Sequence, residues 1–324
     1  MRLLVTGAGG FIGRHVTAQA LARGLAVRAM VRSSPVPTEG AELVRHDLRE
    51  SEGLASLLAG VDAVVHCAGS LHSTVAEQEG DTVAGTRNLV AAMEEAGVSR
   101  LVLLSSFAVY DHSALTVGST VTESSPIDRN PAARGPYPAA KLAQEEIVTR
   151  SSQIRWTILR PGLVFGPDRT WFHHLGMRLT PRMWITLAGS AQLPLAFVGN
   201  CADAALDALV SPRAERQTVN IVDDDLPTRG AYVAALAAST SPPPRVTDVP
   251  WAVLRAASSS SWGIAHGLLR DALQPPGILH PHRLDARCKP LKYRNALAKD
   301  VLGWRPRLGW RDALEQSSAR ESSS

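Results

Sequence analysis

The 324-residue sequence is poor in several residue types, with three cysteines, four tyrosines, four lysines and 5% aromatics. Cys67, Cys201 and Cys288 are odd in number and far apart. They lack the paired spacing of a zinc site or a disulfide framework, so they read as reduced, buried small residues and no metal is expected. No uninterrupted apolar run reaches membrane-spanning length, and the first residues are not a charged-then-apolar leader. A cytoplasmic protein with no membrane partner is therefore expected. The formal charge of +4 is small and the arginines are scattered, which argues against a nucleic-acid partner. No repeat of fixed period is visible.

What the chain does have begins at once. Leu3-Leu4-Val5-Thr6 reads as a short apolar strand, Gly7-Ala8-Gly9-Gly10 as a turn, and Phe11-Ile12-Gly13-Arg14 as the start of a helix. This is the layout that holds a dinucleotide pyrophosphate on the positive end of a helix. Gly7 permits the tight turn, Gly10 lets backbone N–H groups approach phosphates, and Gly13 lets the helix lie against the sheet. A plain structural turn would use the same glycines. Strand and helix patterns then alternate, with strands near 25–31, 41–46, 61–67, 101–106 and 154–160, so an α/β doubly wound parallel sheet is expected. The second strand closes on Val31-Arg32-Ser33. An acid there would bind the ribose hydroxyls of NAD, whereas Arg32 suits a 2′-phosphate, so NADP is favoured with NAD still possible. The alternative is that Arg32 is a solvated loop arginine.

The stretch Thr6 to Gly13 resembles the fingerprint of the extended short-chain dehydrogenase/reductase superfamily, whose members also carry a Tyr-x-x-x-Lys pair with an upstream serine. Tyr137-Pro138-Ala139-Ala140-Lys141 supplies the pair once, where four tyrosines and four lysines would place it by chance about one time in twenty. Its four-residue spacing on a helix puts both side chains on one face, where an ammonium can stabilise a phenolate. Ser106, at the end of the fifth strand, completes the catalytic set that the resemblance implies. A serine also terminates strands well, with no further role needed.

By the same resemblance Asp47 touches the adenine edge and Leu48 packs on the ring. Ala68, Gly69, Ser105, Pro161 and Val164 line the cofactor beside Gly7, Gly10, Phe11, Ile12, Gly13, Arg32, Tyr137 and Lys141. Relatives commonly carry asparagine three residues before Gly85, where this chain has Thr82, so a proton relay through asparagine is doubtful. A homodimer is implied, built on the helix near 74–97 and the helix of Tyr137.

The expected organisation is a Rossmann-type domain over 1–166, to which 195–222 returns. A smaller, mostly helical substrate lobe spans 167–194 and 223–316, and 317–324 form a frayed tail. His173 and His174 fall in a stretch read as helix, which would point them to different sides. Proline- and serine-rich pieces at 241–244 and 257–261 read as loops or irregular helix ends. Residues 294–316 read as helical and contain Leu302-Gly303-Trp304-Arg305-Pro306, similar to a C-terminal signature of extended members.

The resemblance implies hydride transfer at nicotinamide C4 with Tyr137 as general acid and base. Phe107 and Ala108 stand where sugar-nucleotide dehydratases hold an acid pair, and Gly162-Leu163 replaces an asparagine that contacts a substrate diphosphate. The leading expectation is an oxidoreductase acting on a ketone or secondary alcohol of a small, largely apolar molecule. A nucleotide-sugar 4-epimerase with tightly held NAD and a non-catalytic dinucleotide-sensing protein are the alternatives.

Overall fold

Leu3, Leu4 and Val5 are completely buried because they form an interior strand of a seven-stranded parallel sheet. The computed structural model describes residues 1–33, 39–70, 74–267 and 277–321. The sheet strands are β1 (Arg2–Thr6), β2 (Ala26–Val31), β3 (Glu42–Arg45), β4 (Ala63–His66), β5 (Arg100–Leu104), β6 (Arg155–Pro161) and β7 (Gln217–Ile221). Their spatial order is β7-β6-β5-β4-β1-β2-β3, and every neighbouring pair is parallel. Short apolar runs without alternation are what a sheet covered on both faces requires.

One face buries Val16 and Ala20 of α1 (Phe11–Ala22) with Cys201, Ala205 and Leu209 of α4 (Val198–Val210). The other buries Leu89 and Met93 of α2 (residues 75–95) with Val148 of α3 (Pro136–Arg150). Each such side chain contributes about 1.5–3 kcal/mol relative to exposure. Helix α2 runs from Val75 to Glu95 in three parts: an α turn (Val75–Glu77) capped by Thr74 and Glu77, a π-helical stretch (Gln78–Ala84), and an α segment (Gly85–Glu95). The π stretch turns Gln78 and Thr82 into the interior. The chain order reverses between β1 and β4, and ligands of such sheets bind at the carboxyl ends of the strands flanking that reversal.

The remainder caps this edge. Gly176–Thr180 and Met183–Leu187 form an antiparallel pair, and Arg245–Val249 joins it in parallel, so the lobe holds a three-stranded sheet beside its helices. Those helices are α5 (Arg229–Ala238), α6 (Trp251–Gly267) and α7 (Pro281–Cys288).

Four local expectations are corrected. His173 and His174 occupy a turn ahead of a strand, with ring centroids 4.1 Å apart, so they lie side by side. Residues 257–261 belong to α6, where Ser258 buries its hydroxyl on the Leu279 carbonyl at 2.7 Å and so escapes the usual preference of serine for loops. The helix read over 294–316 is two helices, α8 (Ala296–Leu302) and α9 (Trp310–Glu321), because Gly303 ends α8 at φ +65°. Helix α9 also orders 317–321, where a frayed tail was expected, with Ser317 buried and bonded to the Ala313 carbonyl. Residues 322–324 of that tail lie outside the described residues. Among the described residues no helix is long and apolar enough to cross a membrane, and no group of three or more His, Cys, Asp or Glu side chains is placed to hold a metal.

Candidate active site

The glycine turn leaves β1 at the reversal point. Gly7 sits at φ +63°, a left-handed conformation natural to glycine, and a Cβ on Gly13 would fall 2.1 Å from the Gly7 carbonyl oxygen. The start of α1 therefore lies directly on the turn. Gly10 caps α1 with no side chain, and no acidic residue occupies the first helical turn, so the amides of Phe11, Ile12 and Gly13 retain their affinity for an anion. Two guanidiniums lie over the Phe11 ring: Arg169 at 4.7 Å and Arg14 at 5.5 Å from its centroid. These features fit a dinucleotide pyrophosphate.

Arg32 follows β2 directly and pairs with Asp81 at 3.0 Å while staying largely exposed. Arg49, which the sequence did not single out, lies 3.7 Å from the same carboxylate, so two cations sit at the end of β2. Asp47 accepts the Arg49 main-chain N–H and is gripped by its guanidinium, which holds the carboxyl below the usual carboxylate range. Leu48 is buried against Gly85. Ala68 packs on Gly7, and a Cβ on Gly69 would come 3.3 Å from the Lys141 ammonium, so the missing side chain lets that nitrogen lie close to the backbone. Pro161 is buried at the end of β6, and Val164 lies in a short strand (Leu163–Phe165) paired with Leu195–Phe197. Ser105 spends its hydroxyl on Glu145, which binds Arg160 through two contacts of 2.6 and 2.9 Å. Its side chain serves that internal network.

Ser106, Tyr137 and Lys141 come together from β5 and α3. Ser106 lies two residues beyond β5 and accepts the Ala108 N–H at 3.1 Å, so it does cap a turn, while its side chain comes near enough to Tyr137 to ease ionisation of the phenol. Tyr137 stands in the first turn of α3, where Pro136 and Pro138 cost no helical hydrogen bond. Lys141 lies one turn on, with its nitrogen 5.9 Å from the centre of the Tyr137 ring. Burial pushes the Tyr137 phenol up, opposed by Ser106 and the charge of Arg169. Burial also brings Lys141 down to about 8, against the pull of Cys67 and Glu145. Arg169 and Gln144, a partner of Lys141, escaped the sequence reading. Their signal is position alone: three residues past Gly166, and one helical turn past Lys141.

A parallel sheet with a glycine turn at its reversal point, and an adjoining serine, tyrosine and lysine, defines a Rossmann-type NAD(P)-binding protein. Residues 7–176 match the family model described as NAD(P)H-binding. The chain belongs to that family.

A 4-hydroxy-2-methyl-3-oxo-4-farnesyl-3,4-dihydroquinoline-1-oxide ketoreductase of Stigmatella aurantiaca is 34% identical over 180 residues, 53% of each chain, so the match spans about half of that relative. A dTDP-6-deoxy-L-talose 4-dehydrogenase (NAD(P)(+)) of Kitasatospora kifunensis is 28% identical over 97% of this chain and 94% of that one. In fold, the chain is similar to a short-chain dehydrogenase/reductase superfamily protein of Agrobacterium tumefaciens solved with bound NAD, with TM-score 0.74 at 22% identity, covering 100% of this chain and 98% of that one.

Proposed function

We propose that this protein is an NADP-preferring oxidoreductase that reduces a ketone, or oxidises the matching secondary alcohol, on a small and largely apolar molecule. The observation that carries this reading is the approach of the Ser106 hydroxyl and the Lys141 ammonium to the Tyr137 phenol beside the glycine turn. Bound nicotinamide supplies or takes the hydride. In reduction, the Tyr137 O–H gives its proton to the carbonyl oxygen as that oxygen becomes a hydroxyl, and Ser106 donates a hydrogen bond that fixes the same oxygen. Lys141 stabilises the phenolate left behind.

The apolar substrate class is supported by Leu163 in place of a diphosphate-binding amide, and by a relative named as the ketoreductase of a farnesylated quinoline oxide. NADP is supported by Arg32 and Arg49 at the end of β2. The near full-length match to a dTDP-sugar dehydrogenase supports a second reading, the same chemistry on a nucleotide sugar. The test is oxidation of NADPH in the presence of bulky aromatic ketones and, separately, keto-sugar nucleotides. Turnover confined to the first set supports the proposal, and turnover confined to the second replaces its substrate class.

A further inference from the structure

Lys141 makes two fixed hydrogen bonds, to the Leu104 carbonyl at 2.8 Å and to Gln144 Oε1 at 2.9 Å. Thr82, which stands where relatives carry asparagine, does not take part: its hydroxyl is turned to Gln78 Oε1 at 2.7 Å. Gln144 is fully buried, and its bonding has a definite sense. An ammonium only donates, so Gln144 faces it with oxygen and directs its amide nitrogen the other way, to Thr86 Oγ1 at 2.6 Å. The Thr86 O–H returns to the Thr82 carbonyl at 2.6 Å, so its oxygen is left to accept. His66 Nε2 lies 2.9 Å from that oxygen and donates to it. His66 Nδ1, 2.6 Å from Thr6 Oγ1, then accepts the Thr6 hydroxyl. Thr6 immediately precedes Gly7. Thr6, His66 and Thr86 are all buried away from bulk solvent.

We propose that Gln144 is a positioning residue: it aims the Lys141 ammonium at Tyr137 and the cofactor cleft, through a buried hydrogen-bonded chain Lys141–Gln144–Thr86–His66–Thr6 whose two ends both donate toward Thr86 and which is rooted beneath the phosphate-binding turn. With two of its three N–H bonds fixed inside the protein, Lys141 keeps one for the cleft. Removal of Gln144 frees the ammonium to swing and takes from Thr86 one of its donors. The inference rests on the role proposed for Lys141, but its test needs neither substrate nor cofactor, so its failure is distinguishable from failure of the oxidoreductase reading.

The groups around the ammonium are His66 and Cys67 at the end of β4, Tyr137 and Glu145 on its own helix, and Gln144. His66 is neutral, Cys67 is pushed up to about 12 by burial, and Glu145 is held by Arg160. Gln144 is therefore the neighbour whose replacement changes the ammonium most directly.

The chain has four lysines, so the protein labelled with 13C-lysine gives four side-chain signals to follow against pH. Lys141 is assigned by Lys141→Arg. Its wild-type midpoint is expected near 8. In Gln144→Leu, which offers no acceptor, it should fall by about one pH unit, and in Gln144→Glu, which adds a negative charge, it should rise by a similar amount. Opposite shifts are not produced by a merely structural role. An unmoved midpoint in folded Gln144→Leu, or shifts of one sign in both variants, overturns the proposal. If the leucine variant does not fold, Gln144→Glu decides alone, with a rise supporting the proposal and no rise overturning it.

Discussion

The Lys141 ammonium stands 5.9 Å from the centre of the Tyr137 ring, one helical turn along α3. Tyr137→Phe keeps the ring and removes only the hydroxyl, and with it the proton donor. Turnover with any accepted ketone should fall at least about 100-fold, while NADPH affinity measured by fluorescence changes little. A phenylalanine variant that keeps wild-type turnover would remove Tyr137 from the chemistry.

Arg32 bears on cofactor choice. A charge-assisted bond to the 2′-phosphate is worth about 1.5–3 kcal/mol, so Arg32→Ala should weaken NADPH binding about 10- to 100-fold and leave NADH binding nearly unchanged. Titration of both cofactors against both proteins decides it. An equal loss for NADPH and NADH would show that Arg32 reads no 2′-phosphate.

Buried His66 makes the protein sensitive to acid. Burial, then repulsion by Lys141, holds its imidazole down to about 3 from the ordinary 6.5, so the unfolded chain takes up a proton at pH values where the folded one does not. The stability it contributes is complete above 6.5 and is lost as pH falls toward 3, amounting to about 3 kcal/mol by pH 4. Asp223, raised to about 7 by burial, acts in the opposite sense in wild type and variant alike. His66→Gln should therefore flatten the fall in Tm between pH 6.5 and 4. Parallel Tm curves for the two proteins would refute this.

Trp304 is 1% exposed and donates its indole N–H to the Asn200 carbonyl at 2.9 Å. Trp304→Ala should cost about 3–5 kcal/mol, read as a lower urea midpoint. Trp304→Phe should recover most of that loss but not the hydrogen bond. A midpoint unmoved by the alanine change would mean that the C-terminal segment is not held by this residue.

Much of the nucleotide half was legible because its signals are local. Unbroken apolar runs at Leu3–Val5 and Leu101–Leu104, too short for buried helices and followed by turn residues, read as strands buried on both faces, and the spacing of Tyr137 and Lys141 is rare in a chain with few of either. The strand pair at 176–187 was hidden because its pattern does not follow burial: Met177 and Leu179 alternate with polar residues, yet they and Met183 are exposed. His173 and His174 were assigned to a helix for want of a turn signal, although the Leu175 N–H closes back on the Phe172 carbonyl at 3.0 Å. Gln144 looked like one more polar position on an amphipathic helix. What gives it meaning is a chain of contacts through Thr86, His66 and Thr6 on three other elements, which no window of sequence contains.

The embrace of Asn200 by Trp304 has a bearing on how this molecule could be taken apart. The last hundred residues do not simply follow the nucleotide-binding half but return to lie against it, and α8 contributes Ala298, Val301 and Leu302 to the same core as β1. A fragment cut after residue 166 would bare an oily flank along α1 and two sheet strands. The boundary drawn on the page between cofactor and substrate portions is therefore not a seam along which the protein can be divided, exchanged or secreted in pieces.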